Sequence, residues 1–124
     1  VSNAFDPNWP ETCDKRNNSQ LNYGVAICKY TGSRGKGGAS DASAEAMGHV
    51  RSTLDKAGVI WQIATLGKVD QGGGGTVAVE IAKHNADVVD IGVPVLSMHA
   101  PFEVVSKLDV YMAYKGFKAF FDEK

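Results

Sequence analysis

The stretch Asp90-Ile91-Gly92-Val93-Pro94-Val95-Leu96-Ser97-Met98-His99, followed at once by Ala100-Pro101-Phe102-Glu103, constrains the local architecture more than any other part of the chain. Its apolar start, Val88 to Gly92, is too short for a buried helix and reads as a buried strand. The strand runs out into polar residues, and Pro101 marks a break. Beyond it Val104, Val105, Leu108, Tyr111, Met112, Phe117, Phe120 and Phe121 recur at helical spacing, so a long final helix is expected to pack across a sheet with Val105, Leu108, Met112 and Phe120 on one side. His99 then stands at the rim of that sheet, where strand ends hold ligands in open α/β folds. Read by itself it is an ordinary partly buried histidine; in this setting a metal-ligand role is the alternative.

The rest of the chain alternates strands with helices. Residues 1–22 carry Pro7, Pro10 and Asn3, Asn8, Asn17 and Asn18, which favour irregular backbone with at most a helical turn near Glu11 to Asn17. Tyr23 to Tyr30 reads as a strand, Thr31 to Ala39 as a glycine-rich loop, and Asp41 to Lys56 as a helix ended by Gly58, with Met47, Val50, Leu54 and Ala57 on its apolar face. Val59 to Thr65 alternates as a strand does, and Val77, Ala78 and Ile81 give Thr76 to His84 a helical face. The predicted fold is α/β, a sheet sandwiched by helices, in one unit spanning residues 1–124.

Composition excludes several classes of function. A net charge of −1 over 124 residues is too little positive charge for a nucleic-acid binder, and no apolar run reaches the roughly 18 residues of a membrane span. Cys13 and Cys28 have no Cys-x-x-Cys or metal spacing, and both read as reduced structural thiols in a cytoplasmic protein.

Other residues that could carry chemistry read as structural. Gly72 to Gly75 precede a helix, but neither phosphate-loop spacing is met. His49 has no partner four residues on, His84 falls near a helix end, and neither makes His-Glu-x-x-His. Glu103 and Asp109 flank Lys107, and the expectation for them is a solvated or ion-paired face. Ser97 lacks the context of a nucleophile.

The motif ending in His99, together with Asp6-Pro7-Asn8-Trp9, Arg16-Asn17, Lys29-Tyr30, Ser40-Asp41-Ala42, Gly67-Lys68-Val69-Asp70-Gln71-Gly72-Gly73-Gly74-Gly75-Thr76 and Ser106-Lys107-Leu108-Asp109, resembles the aspartyl aminopeptidase (aminopeptidase I) family of zinc metallopeptidases, in the same order along nearly the whole chain. The resemblance implies the carboxy-terminal part of a catalytic domain that acts on peptides, with His99 a zinc ligand and Lys29, Gly75 and Thr76 substrate contacts at a cleft. It also implies a homo-oligomer built from dimers.

In the family two zinc ions are held by about six side chains with a glutamate as general base. Its His-x-Asp motif, bridging aspartate and Glu-Glu pair lie upstream of the matched region, and this chain has neither His-x-Asp nor Glu-Glu. A further ligand, the Asp of a Ser-Ala-Asp, would fall immediately before Val1. No catalytic residue is therefore assigned here, the upstream part of the same enzyme is an implied partner, and the chain alone is expected to be inactive. Asn3 and Gly38 stand where aspartate-specific members carry other residues, so the likeness is to the broader bacterial members. The reading from a different class is a non-catalytic regulatory or assembly module that retains the fold.

Overall fold

In the computed structural model the described residues are 1–32, 40–68, 71 and 73–123. Most of the glycine-rich loop expected at Thr31 to Ala39, with Gly38 in it, and Val69, Asp70 and Gly72 of the second glycine run lie outside them. The chain forms β1 (Ser2–Asn3), a 3-10 turn (Pro10–Thr12), β2 (Val25–Thr31), β3 (Ser40–Asp41), α1 (Ala44–Lys56), β4 (Trp61–Thr65), α2 (Ala78–Ala82), β5 (Asp90–Gly92), β6 (Pro94–Leu96), β7 (Val104–Val105) and α3 (Lys107–Asp122). The expected α/β architecture is present, and the short strands β1, β3, β6 and β7 are additional to it.

β2 is the hub. It pairs in parallel with β4 along one edge and antiparallel with β5 and β3 along the other. A strand places alternate residues on opposite faces. Val25 and Ile27 accordingly enter one apolar cluster with Met47, Leu54, Val59 and Ala113, while Ala26, Cys28 and Ala64 form a second on the other face. There the amino-terminal segment closes in: Ser2 Oγ accepts a bond from Cys28 Sγ at 3.4 Å, and β1 joins the small sheet β1-β6-β7.

α1 begins three residues later than Asp41 because Ser43 caps it, its Oγ accepting the N–H of Ala46 at 3.1 Å. Its apolar face is the expected one, and Gly58 follows its end with φ of +62°. α3 differs from expectation. Leu108 is 66% exposed and Phe120 45%, whereas the buried residues of the helix are Asp109, Ala113 and Gly116. Small residues let α3 lie close to its neighbours: a Cβ on Gly116 would stand 2.9 Å from Leu54 Cδ2. The helix approaches α1 and β2 through its narrow face with Met112 packed beside it as expected, and most of its other bulky apolar residues are left outside.

Candidate functional site

His99 lies in the connection 97–103 of the β6–β7 hairpin, whose strands pair Val95 with Val105 and Leu96 with Val104. Ser97 and His99 both take left-handed backbone, with φ of 57° and 70°, and Ala100 N–H donates to Ser97 O at 3.0 Å. The peptide N–H of His99 donates to Glu103 Oε1 at 2.5 Å. Glu103 is thus more than the solvated charge expected of it: its carboxylate closes the loop onto the histidine. The imidazole itself is exposed.

The base of this loop is anchored by polar groups. Ser106, preceding α3, donates its hydroxyl to Asn22 Oδ1 at 2.5 Å. The N–H groups of Asn22 and Gly24 donate to the two carboxylate oxygens of Asp109, at 2.8 and 2.9 Å. Asp109 is 1% exposed, which corrects the expectation of a solvated face. Two charge-assisted bonds from main-chain donors make a buried carboxylate tolerable there.

The other three candidate residues gather at the exit of β2. Gly32 N–H donates to Gly74 O at 3.0 Å, tying the strand end to the glycine run. Gly73 has φ of +79°, and a Cβ there would lie 2.0 Å from Leu66 O, so only glycine fits. Thr76 donates its hydroxyl to Asp90 Oδ2 at 2.8 Å and accepts the N–H of Ala78 at 3.3 Å, while Gly75 beside it is exposed. Lys29 is ion-paired with Asp41 and donates to Ala42 O at 2.6 Å. Next to it Tyr30 Oη and Thr31 Oγ1 are buried with no partner among the described residues. Lys29, Gly75 and Thr76 therefore share one rim. The hairpin carrying His99 points the same way: β6 runs parallel to β1, which leads from Gly92 to the bridge between Ala4 and Ser19, near where Asn17 meets Thr65 beside the exit of β2.

Among the described residues no three His, Cys, Asp or Glu side chains group closely enough to hold a metal ion. An exposed imidazole on a hairpin loop braced by Glu103 suits one position in a zinc coordination shell, and the remaining ligands would have to come from outside this chain. His49 is engaged with Glu123, Nε2 to Oε2 at 3.0 Å, and meets Phe120 edge-on, in keeping with a structural role. Cys13 and Cys28 are free and buried. Burial pushes the Cys28 thiol above its ordinary range against the lowering effect of its bond to Ser2, and Asp90 adds to the rise. An apolar cleft of about 580 Å³ between α1 and α3, lined by Val50, Leu54, Val89, Phe117, Phe120 and Phe121, was not foreseen. The signal for it was the surplus of aromatic residues on α3 over what one packed face can use.

A family model described as "Aminopeptidase I zinc metalloprotease (M18)" matches residues 1–121, and the chain belongs to that family of zinc metalloproteases. It is 52% identical over 120 residues to a protein of Clostridium acetobutylicum named a probable M18 family aminopeptidase 1, a match covering 97% of this chain and 26% of that one. A like-named protein of Thermotoga maritima is 47% identical over 123 residues, covering 99% of this chain and 27% of the relative. The crystal structure of aminopeptidase I from Clostridium acetobutylicum superposes with a TM-score of 0.91 at 50% identity, over 99% of this chain and 27% of that one. The corresponding M18 structure from Thermotoga maritima gives 0.92 at 47% identity, over 100% and 28%. This chain thus spans about a quarter of the length of these relatives.

Proposed function

We propose that this chain works as part of a zinc-dependent aminopeptidase that removes amino-terminal residues from peptides by metal-activated water. The observation that carries the reading is the family match over residues 1–121, which includes His99 on its braced loop. Bound zinc supplies Lewis acidity to the peptide carbonyl and an acidified water. His99 holds one metal, while the other ligands and the general base belong to the upstream part of the enzyme. Lys29, Gly75 and Thr76 contact substrate from the rim at the exit of β2. They act where the rest of the enzyme, or another copy in a homo-oligomer, closes over them. Free buried thiols suit a cytoplasmic setting, and no helix among the described residues is long and apolar enough to cross a membrane.

The test replaces the matching segment of the Clostridium acetobutylicum relative with this chain and measures hydrolysis of aminoacyl anilides together with bound zinc. The hybrid is expected to be active and chelator-sensitive, whereas the 124-residue chain alone is inactive. His99→Ala should remove one metal and most activity, and His84→Ala should leave both nearly intact. Equal loss of metal in the two variants would refute the assignment. The exposed apolar residues of α3 also suit a non-catalytic assembly module, and a folded hybrid that neither binds zinc nor cleaves peptides would favour that second reading.

A further inference from the structure

We infer that Glu103 is a positioning residue for the His99 imidazole, an inference that rests on His99 being a zinc ligand. Two non-glycine residues in the connection, Ser97 and His99, occupy left-handed backbone, a conformation disfavoured for side chains with a Cβ. A loop does not hold such a geometry without compensation. β6 and β7 pair at only two positions each, so the hairpin strands alone restrain the loop weakly. Among the described residues the main-chain N–H of His99 is held by Glu103, whose Oε1 accepts it at 2.5 Å, a short charge-assisted contact.

The torsion φ of His99 sets where its Cα–Cβ bond points, and hence where both ring nitrogens can reach. Releasing the N–H lets the residue return to ordinary extended backbone and swings the imidazole off its line. Glu103 therefore acts on the metal through the backbone of the ligand, without touching metal or ring. Its chemistry is that of an acceptor at a fixed distance. Glutamine can replace it, aspartate is one methylene too short, and alanine offers nothing.

The experiment measures the zinc dissociation constant of the enzyme assembled from this chain and the remaining segment of its relatives, by competition with a fluorescent chelator, alongside thermal unfolding. Glu103→Ala and Glu103→Asp should each weaken zinc at one site about tenfold, the scale of losses seen when groups supporting a ligand are removed. Glu103→Gln should stay within about twofold of the parent, since it keeps the acceptor and loses only the charge. Unfolding temperatures should not follow the zinc constants. If Glu103→Ala and Glu103→Asp bind zinc as the parent does while His99→Ala does not, the positioning role is overturned and the ligand assignment survives. If Glu103→Gln is as weak as Glu103→Ala, charge and not the bond to the peptide N–H is responsible, and the proposal is equally overturned. If His99→Ala binds zinc normally, the assignment of His99 itself fails.

Discussion

Asp109 Oδ1 accepts the main-chain N–H of Gly24 at 2.9 Å, joining the first turn of α3 to the entry of β2 across 85 positions of sequence. The other carboxylate oxygen takes the N–H of Asn22. Truncation would leave two partly or wholly buried donors without an acceptor. Asp109→Ala should therefore destabilise the chain by about 3 kcal/mol, and Asp109→Asn by less, because its amide oxygen still satisfies one donor. Urea unfolding of the two variants checks the order; equal stability of Asp109→Ala and the parent would show the carboxylate to be dispensable.

Gly24 and Gly116 should differ sharply in their tolerance of alanine. A Cβ on Gly24 would lie 2.1 Å from the main-chain oxygen of Ile60, with φ at +87°, so both strand pairing and backbone would have to distort. A loss of about 4 kcal/mol or more is expected for Gly24→Ala. At Gly116 the obstacle is the tip of Leu54, which can turn aside, and the helix gains roughly 1 kcal/mol from alanine. Gly116→Ala should then fall within about 1 kcal/mol of the parent in the same unfolding assay.

The contrast between these helices shows what patterning can reveal. α1 was legible because its buried face is made of Met47, Leu54 and flanking apolar residues, and only its start was misjudged, since Ser43 rather than Asp41 caps it. α3 was legible as a helix but not in orientation. Its inner face is Asp109, Ala113 and Gly116, residues that carry little hydrophobic signal, while the bulky residues that do carry one are mostly exposed, Met112 apart. In the candidate site, His99 was marked by its strand-to-helix setting. Glu103 was not, because a carboxylate accepting a peptide N–H within a loop looks in sequence like any solvated charge.

Cys28 should give stability a distinct dependence on pH. Its thiol is raised by burial, so the folded form holds the proton where the unfolded form releases it. The contribution is complete below the ordinary thiol value of about 8.5 and is lost as pH rises through the raised one. Unfolding free energy should fall across that alkaline window in the parent and fall less in Cys28→Ala. Alkylation of native protein near pH 8, with Cys28 labelled as fast as a free thiol, would contradict the burial.

Val110, Tyr114, Phe117 and Phe121 recur at i, i+4, i+7 and i+11 and are all exposed, which makes one outer flank of α3 apolar. The isolated chain should self-associate at roughly tens of micromolar, a range in which such surface drives aggregation. Phe117→Lys combined with Phe121→Lys should shift it toward monomer in sedimentation velocity. A monomeric parent at that concentration would show that this flank needs no partner.

The clasp between Asp109 and the loop at Asn22 to Gly24 also bears on how the chain is made. Both its anchor and the helix that helps to shield Val25 and Ile27 leave the ribosome well after the strand they cover. During translation the central strand therefore waits, only partly covered on one face, for a lid anchored 85 positions further along the chain. A stop before α3 would leave that face permanently half-covered, a natural substrate for chaperones and proteases.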